Sequence, residues 1–335
     1  MDVHDTLGRP MRDLRVSVTD RCNLRCTYCM PREVFGRDFP FLPRQDLLTY
    51  EQIERVVRAC VRMGVAKVRL TGGEPLLRRD LHHLVRLLRG IEGLEDLTLT
   101  TNGLHLAGHA ETLRQAGLDR VTVSLDTLDP AIFRHMSDAD ADVEQVLAGI
   151  DAARRCGLQP VKINAVVRAG VNDHTVVDMA RHFHATDCIV RFIEYMDVGN
   201  CNQWSMRDVV PAERIVAMID AQLPLEPIGA NYAGEVARRW RYRDGGGEIG
   251  VIASVTRPFC RDCTRLRLSP EGRLYTCLFA EAGTDVKAAL STDGDDDLLT
   301  RTIQDIWKCR EDRYSELRTP TTVEGKRIEM SYIGG

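Results

Sequence analysis

Leu14-Arg-Val-Ser-Val-Thr-Asp-Arg-Cys-Asn-Leu-Arg-Cys-Thr-Tyr-Cys-Met30 opens as a β-branched run and then delivers three cysteines, Cys22, Cys26 and Cys29, spaced C-x-x-x-C-x-x-C. Residues 14–19 read as a strand, so the cysteines follow its C-terminal end. A [4Fe–4S] cube normally takes four thiolates, and no fourth cysteine lies close enough to complete this set. Three closely spaced thiolates imply a cube with one iron open to another ligand. A zinc site is the competing reading, but it wants a further Cys or His nearby.

The strand-and-turn pattern repeats outward from this stretch. Expected strands run over 14–19, 65–70, 96–101, 120–125, 161–167 and 189–195, separated by amphipathic helical stretches. In the first helix Thr49 is the expected N-cap, Ile53, Val56, Val57, Cys60 and Val61 mark one buried face, and Gly64 stops it. Such β-α units in series predict parallel strands covered by helices, because right-handed crossovers preserve strand direction. Six units fall short of the eight that close a barrel. The expected fold class is therefore α/β, an incomplete (β/α)6 TIM-like barrel with ligands at the C-terminal strand ends. Thr71-Gly-Gly-Glu-Pro75, Thr101-Asn-Gly103, Ser124-Leu-Asp126 and Glu194-Tyr-Met-Asp-Val-Gly199 all sit there.

After about residue 210 the rhythm changes to a helix over 211–219, a loop punctuated by Pro224 and Pro227, and short strands at 236–242, 248–254 and 265–268. This predicts a different layer, an α+β extension over 211–335 following a barrel over 1–210. The acidic stretch 292–297 reads as a solvated loop.

A chain of 335 residues, 44% hydrophobic and 28% charged, can bury a sizeable core. Its formal net charge of -4 argues against a nucleic-acid surface but leaves room for a local basic pocket. The opening Met-Asp-Val-His-Asp-Thr lacks the basic and apolar regions of a signal peptide, and no apolar run approaches the roughly 20 residues of a membrane span. A cytoplasmic enzyme that works on neither membrane nor nucleic acid is expected. Eleven cysteines in such a chain favour metal or redox chemistry over disulfides. Outside the triplets, Cys60, Cys156, Cys188, Cys201 and Cys309 read as packed or idle thiols.

Cys260-Arg-Asp-Cys263 followed by Cys277 makes a second incomplete set, C-x-x-C-x13-C, which alone also admits a zinc ribbon completed from elsewhere. The first triplet, with Tyr28 just before its last cysteine, resembles the radical S-adenosylmethionine (SAM) superfamily, in which the open iron binds SAM. Gly72-Gly73-Glu74-Pro75 resembles that superfamily's motif for the SAM amino group. The segment Phe259-Cys-Arg-Asp-Cys-Thr-Arg-Leu-Arg-Leu-Ser-Pro-Glu-Gly-Arg-Leu-Tyr-Thr-Cys-Leu-Phe279 narrows the resemblance to the GTP 3′,8-cyclase family of molybdenum cofactor biosynthesis. Residues 69–75, Asp244-Gly-Gly-Gly-Glu-Ile-Gly250 and the closing Gly334-Gly335 agree with it.

That resemblance implies two [4Fe–4S] clusters. Cys22, Cys26 and Cys29 would hold the SAM-binding one, and Cys260, Cys263 and Cys277 one whose open iron meets the guanine of GTP. It implies SAM contacts at Tyr28, Gly73, Ser124 and Met196, GTP contacts at Arg15, Arg69, Thr100, Lys162, Arg265 and Arg267, and a catalytic tail, Gly334 and Gly335, that enters the active site. Guanidinium groups suit a triphosphate because they pair bidentately with its oxygens. In the implied reaction, reductive SAM cleavage yields a 5′-deoxyadenosyl radical that takes the ribose 3′-hydrogen. The carbon radical then attacks purine C8, and reduction gives 3′,8-cyclo-7,8-dihydro-GTP. A ferredoxin or flavodoxin as reductant, transfer of product to cyclic pyranopterin monophosphate synthase, and a homodimer are further implications. The alternatives are a peptide-modifying radical SAM enzyme with an auxiliary cluster, which usually shows more auxiliary cysteines, and a non-catalytic iron–sulfur protein, which has no use for a SAM-amino cradle.

Overall fold

The computed structural model describes residues 3–232, 234–291, 296–318 and 326–334. Strands β1 (Asp13–Ser17), β2 (Lys67–Thr71), β3 (Asp96–Thr101), β4 (Arg120–Ser124), β5 (Lys162–Val167) and β6 (Ile189–Glu194) lie in that order in one sheet, each parallel to the next. Helices α1 (Tyr50–Arg62), α2 (Leu81–Arg89), α3 (Leu106–Gln115), α4 (Pro130–Ser137), α5 (Val143–Arg155) and α6 (Val176–Phe183) occupy the crossovers, as an incomplete (β/α)6 barrel requires. Thr49 caps α1 through a reciprocal pair with Gln52, its Oγ1 accepting from Gln52 N at 3.2 Å and its own N–H donating to Gln52 Oε1 at 2.9 Å. Gly64, at φ +107°, turns the chain away after it.

Alternation along the strands decides where the core and the site lie. Leu14, Val16, Val68, Leu70, Leu97, Leu99, Val121 and Val123 are buried and belong to the apolar core with the helices. The residues between them point the other way, and in β1 to β3 these are Asp13, Arg15, Lys67, Arg69, Asp96 and Thr98. A sheet covered on both faces normally reads as a continuous apolar run, so this polar alternation marks a barrel interior that holds something other than core.

The segment after residue 210 does not form a different layer. Following α7 (Ala212–Asp220), strands β7 (Leu225–Ile228), β8 (Arg238–Tyr242) and β9 (Glu248–Ile252) continue the same sheet beyond β6, with β9 parallel to β6. On the other side β10 (Arg265–Leu268) lies parallel to β1, followed by antiparallel β11 (Arg273–Tyr275) and β12 (Thr284–Asp285). An open barrel leaves two sheet edges with unpaired backbone groups, and the extension covers both. The expected loop around Pro224 and Pro227 is instead β7 at the sheet's edge, where a proline without an N–H is tolerated. Of the acidic stretch 292–297, Asp296 and Asp297 open the helix Asp296–Lys308, and the rest lies outside the described residues. Among the described residues no helix is long and apolar enough to cross a membrane.

Candidate active site

The first triplet occupies the turn after β1, pressed against the turn after β2. Gly73 N–H donates to Thr19 O and Glu74 N–H to Arg21 O, both at 2.8 Å. A Cβ on Gly73 would overlap Arg21 O, and one on Gly72 would stand 2.6 Å from Thr19 O. The glycines therefore admit the backbone that leads into Cys22, a packing role beside the ligand approach expected of them. Glu74 is buried and accepts from Leu76 N, Thr101 Oγ1 and Asn102 N at 3.0, 2.7 and 2.7 Å, stapling the turn of β2 to that of β3. Burial pushes its carboxyl up to about 7 against those donors. Asn102 donates to Asn23 Oδ1 at 2.8 Å and approaches Cys22 Sγ at 3.9 Å, while Leu24 N–H points at the same sulfur from 3.4 Å.

Burial pushes the Cys22 thiol up to about 11 and raises Cys26 and Cys29 as well, with Cys29 and Cys22 adding to the rise at Cys26. The three sulfurs are thus near enough to oppose one another's ionisation. Iron binding displaces such protons. Among the described residues no three Cys, His, Asp or Glu side chains converge as they would around a single ion. A cube takes one thiolate per iron, and three thiols on one loop are a donor set that fits it. Tyr28 Oη donates to Asp126 Oδ2 at 2.7 Å, Ser124 closes β4 opposite Asn164 of β5, and Met196 follows β6.

A cavity of about 570 Å³ runs through the barrel interior, and sheet register sets its lining. Arg265, Asp13, Lys67 and Asp96 are successive neighbours across β10, β1, β2 and β3, and Arg267, Arg15, Arg69 and Thr98 form the next inward row. In the first row the charges alternate, with Lys67 Nζ 3.8 Å from Asp13 and 3.7 Å from Asp96. In the second, three guanidinium groups stand side by side with no acid between them. Like charges directly opposite each other repel. Burial first, then Arg267, Arg265 and Arg69, push Arg15 well below its usual pKa. A guanidinium keeps its proton, so the row stays positively charged despite that push. Nε of Arg15, of Arg69 and of Arg191 on β6 is buried without a hydrogen-bond partner among the described residues. Buried unpaired donors around one cavity define a site for an anion.

The expected GTP contacts divide. Arg15, Arg69, Thr100, Arg265 and Arg267 line the cavity, and Lys162 does not. Thr100 Oγ1 accepts from Arg69 Nη1 at 2.9 Å and so orients that arginine, as Thr122 does at 3.0 Å. Arg265 Nη2 donates to Cys263 Sγ at 3.2 Å, which ties it to the second triplet as well as to the cavity. Of the expected SAM contacts Met196 lines this cavity, whereas Tyr28, Gly73 and Ser124 stand outside its lining. Burial lowers Lys162 to about 7, helped by Arg191, and lowers Lys67 to about 8.

Cys260 and Cys263 precede β10, which places them at the end of the sheet opposite the first triplet, and with Cys277 they line the same cavity. Their backbone is held by a buried network. Asp5 pairs with Arg9 at 2.6 Å and Arg310 at 3.2 Å; Arg9 donates to Cys260 O at 2.7 Å, and Arg310 to Cys263 O at 2.7 Å and Thr276 O at 3.0 Å. Burial alone would raise Cys263, but Arg265 and Arg310 hold it down to about 6, so this thiol is ionised at neutral pH and ready for iron. Burial pushes Cys277 up to about 11.

The tail reaches this cavity from the other end. Arg267 Nη1 donates to Gly334 O and, at 3.3 Å, to Ile333 O. Gly334 is at φ +73°, and a Cβ there would overlap Thr71 Oγ1, so the place admits only glycine. Gly335 lies outside the described residues. Cys201, read as a packed or idle thiol, makes specific polar contacts: its Sγ donates to Glu329 Oε2 at 3.1 Å and lies 3.8 Å from Cys29 O. Sequence reasoning also missed Lys67, Thr122, Asn164, Arg191 and the Asp5 network. Lys67 was legible, two residues before Arg69 on one strand face; Asp5 and Arg310, 305 residues apart, offered no signal.

Residues 16–183 match the radical SAM superfamily, and residues 188–316 match the family described as Molybdenum Cofactor Synthesis C. The chain is 54% identical over 358 residues to a GTP 3′,8-cyclase of Acidothermus cellulolyticus, covering 99% of each. It is 51% identical to one of Xanthomonas axonopodis pv. citri and 46% to one of Staphylococcus epidermidis, again covering 99% of each chain. The solved structure of Streptococcus suis SuiB bound to S-adenosylmethionine superposes with a TM-score of 0.64 at 15% identity, over 93% of this chain and 69% of that one. SuiB bound to precursor peptide SuiA gives 0.62 at 15% identity, over 90% and 66%. At that identity the likeness shows the fold alone.

Proposed function

We infer the work of individual residues from one premise: this chain belongs to the GTP 3′,8-cyclase family of the radical SAM superfamily. It is an enzyme that converts GTP to 3′,8-cyclo-7,8-dihydro-GTP, the first step of molybdenum cofactor biosynthesis. When bound, its two [4Fe–4S] clusters and SAM supply the electron and the 5′-deoxyadenosyl radical that start the reaction.

Cys22, Cys26 and Cys29 hold the first cluster, and Tyr28, Gly73, Ser124 and Met196 seat SAM beside it. Cys260, Cys263 and Cys277 would hold the second, which would supply an open iron for the guanine. The observation that carries the GTP assignment is the row Arg267, Arg15 and Arg69, three cations in register on the inward face with no acid among them. A triphosphate relieves their mutual repulsion and satisfies the unpaired Nε groups of Arg15 and Arg69, so it gains in both ways. Lys162, outside the cavity lining, acts on the same anion through its charge. Arg267 also grips the tail through Gly334 O, which sets Gly334 against the substrate. Fixing SAM and GTP in one barrel interior matters because an uncommitted radical reacts with whatever lies near.

The same reading divides the work at residue 210, with radical generation before it and the second cluster after it. It assigns a cytoplasmic homodimer, a ferredoxin or flavodoxin as the electron source, and cyclic pyranopterin monophosphate synthase as the consumer of product; family membership supports these partners. Anaerobic reconstitution tests the reading. Iron for two four-iron clusters per chain, and 5′-deoxyadenosine formed only when GTP is present, are the expected results. Iron for a single cluster, or SAM cleavage indifferent to GTP, would refute it.

A further inference from the structure

The segment that carries Gly334 is fastened to the loop after β6 by contacts that the cyclase reading does not use. Arg327 Nη1 donates to Asp197 O at 2.6 Å and to Asp197 Oδ2 at 3.2 Å, and Arg327 N–H to Asn200 Oδ1 at 3.1 Å. Asn200 Nδ2 donates back to Arg327 O, and Asn200 N–H to Glu329 Oε1 at 2.9 Å. The other carboxylate oxygen, Oε2, takes the Cys201 thiol at 3.1 Å, and that sulfur stands 3.8 Å from Cys29 O. Gly199, at φ +67°, leaves room for Glu329, since a Cβ there would overlap its carboxylate. The receiving loop is itself braced: Tyr195 Oη donates to Asn202 O at 2.8 Å, Asn202 Nδ2 to Met196 O at 3.0 Å, and Trp204 Nε1 to Tyr195 O at 2.9 Å.

We propose that Asn200 and Glu329 are positioning residues, a latch that sets how far residues 330–334 reach into the barrel and, through Cys201, links that depth to the loop of the first cysteine triplet. Glu329 lies one residue before the short helix Met330–Ile333, and Gly334 follows that helix. Any shift of the latch is therefore carried along a rigid turn to the carbonyl that Arg267 grips. The same loop carries Met196, so the SAM side and the tail share one support. This rests on the cyclase reading for its consequence: a seated tail keeps radical formation and ring closure in step.

Hydrogen exchange and product partition together test the latch in reconstituted full-length enzyme. In Asn200→Ala and Glu329→Ala, amides of residues 327–334 should exchange at least tenfold faster, iron content should hold, and cyclised product per 5′-deoxyadenosine should fall at least tenfold. Glu329→Gln, whose side-chain carbonyl can still accept from Asn200 N–H, should lie between wild type and alanine. Unchanged exchange and unchanged partition in both alanine variants would overturn the proposal, as would an equal fall in both products with partition preserved, or loss of iron. A wild type that makes no cyclised product would sink the cyclase reading instead, and the exchange rates would still decide the latch.

Discussion

Arg267 meets two partners at once, the tail carbonyls of Ile333 and Gly334 on one side and the Arg15 guanidinium beside it in register. A hydrogen bond to a charged group is worth about 1.5–3 kcal/mol, or roughly 10- to 150-fold in affinity. Arg267→Ala should therefore weaken GTP binding by that factor and stop cyclisation, with the absorbance of both clusters intact; loss of the second cluster would show a structural role instead. Gly334→Ala should abolish cyclisation while SAM affinity stays at the wild-type value, because both φ and Thr71 forbid a Cβ. The lysines predict a pH dependence. Lys162 is depressed to about 7 and Lys67 to about 8, so in the free enzyme they lose charge as pH rises through that range. A polyphosphate favours their protonated forms, so GTP binding should take up protons near pH 7.5, and affinity should fall between pH 6.5 and 8.5. Calorimetry in buffers of different ionisation enthalpy reads this, and a proton balance of zero would contradict it. At this scale the arginines were legible through the resemblance to the cyclase family, and only Arg265 and Arg267 also by their i, i+2 spacing on one strand. What spacing could not show was that three of them lie in register, because register belongs to strand pairing.

Strand β10 places the second triplet, and its support comes from far along the chain. Asp5, Arg9 and Arg310 are all buried, and the two guanidinium groups hold the carbonyls of Cys260, Cys263 and Thr276. Removing one partner of a buried ion pair strands the other charge, at about 3–5 kcal/mol. Arg310→Ala should lose stability of that order in urea unfolding, and should lose iron of the second cluster before that of the first. Retention of both clusters at wild-type stability would contradict the assignment. The strands at 96–101 and 265–268 were legible to the residue, because polar–apolar alternation is a local property. β7 was hidden by Pro227, which reads as a loop until its place on the sheet's edge is known. The extension was misread as a separate layer because an apolar pattern shows which face is buried but not which strand pairs with it.

Across the whole molecule the two triplets stand at opposite ends of one sheet, and the cavity of about 570 Å³ lies along the inward faces of the strands that join them. β1 begins beside β10, at the end that carries Cys260 and Cys263, and runs toward Cys22, with the arginine row between. That arrangement is the physical content of the account: a radical made at one end must meet GTP held at the other without crossing solvent. Transfer of a label tests it most directly. With GTP deuterated at the ribose 3′ carbon, the reconstituted enzyme should give 5′-deoxyadenosine carrying one deuterium per turnover. Unlabelled 5′-deoxyadenosine formed alongside cyclised product would show that the two sites do not meet in this cavity.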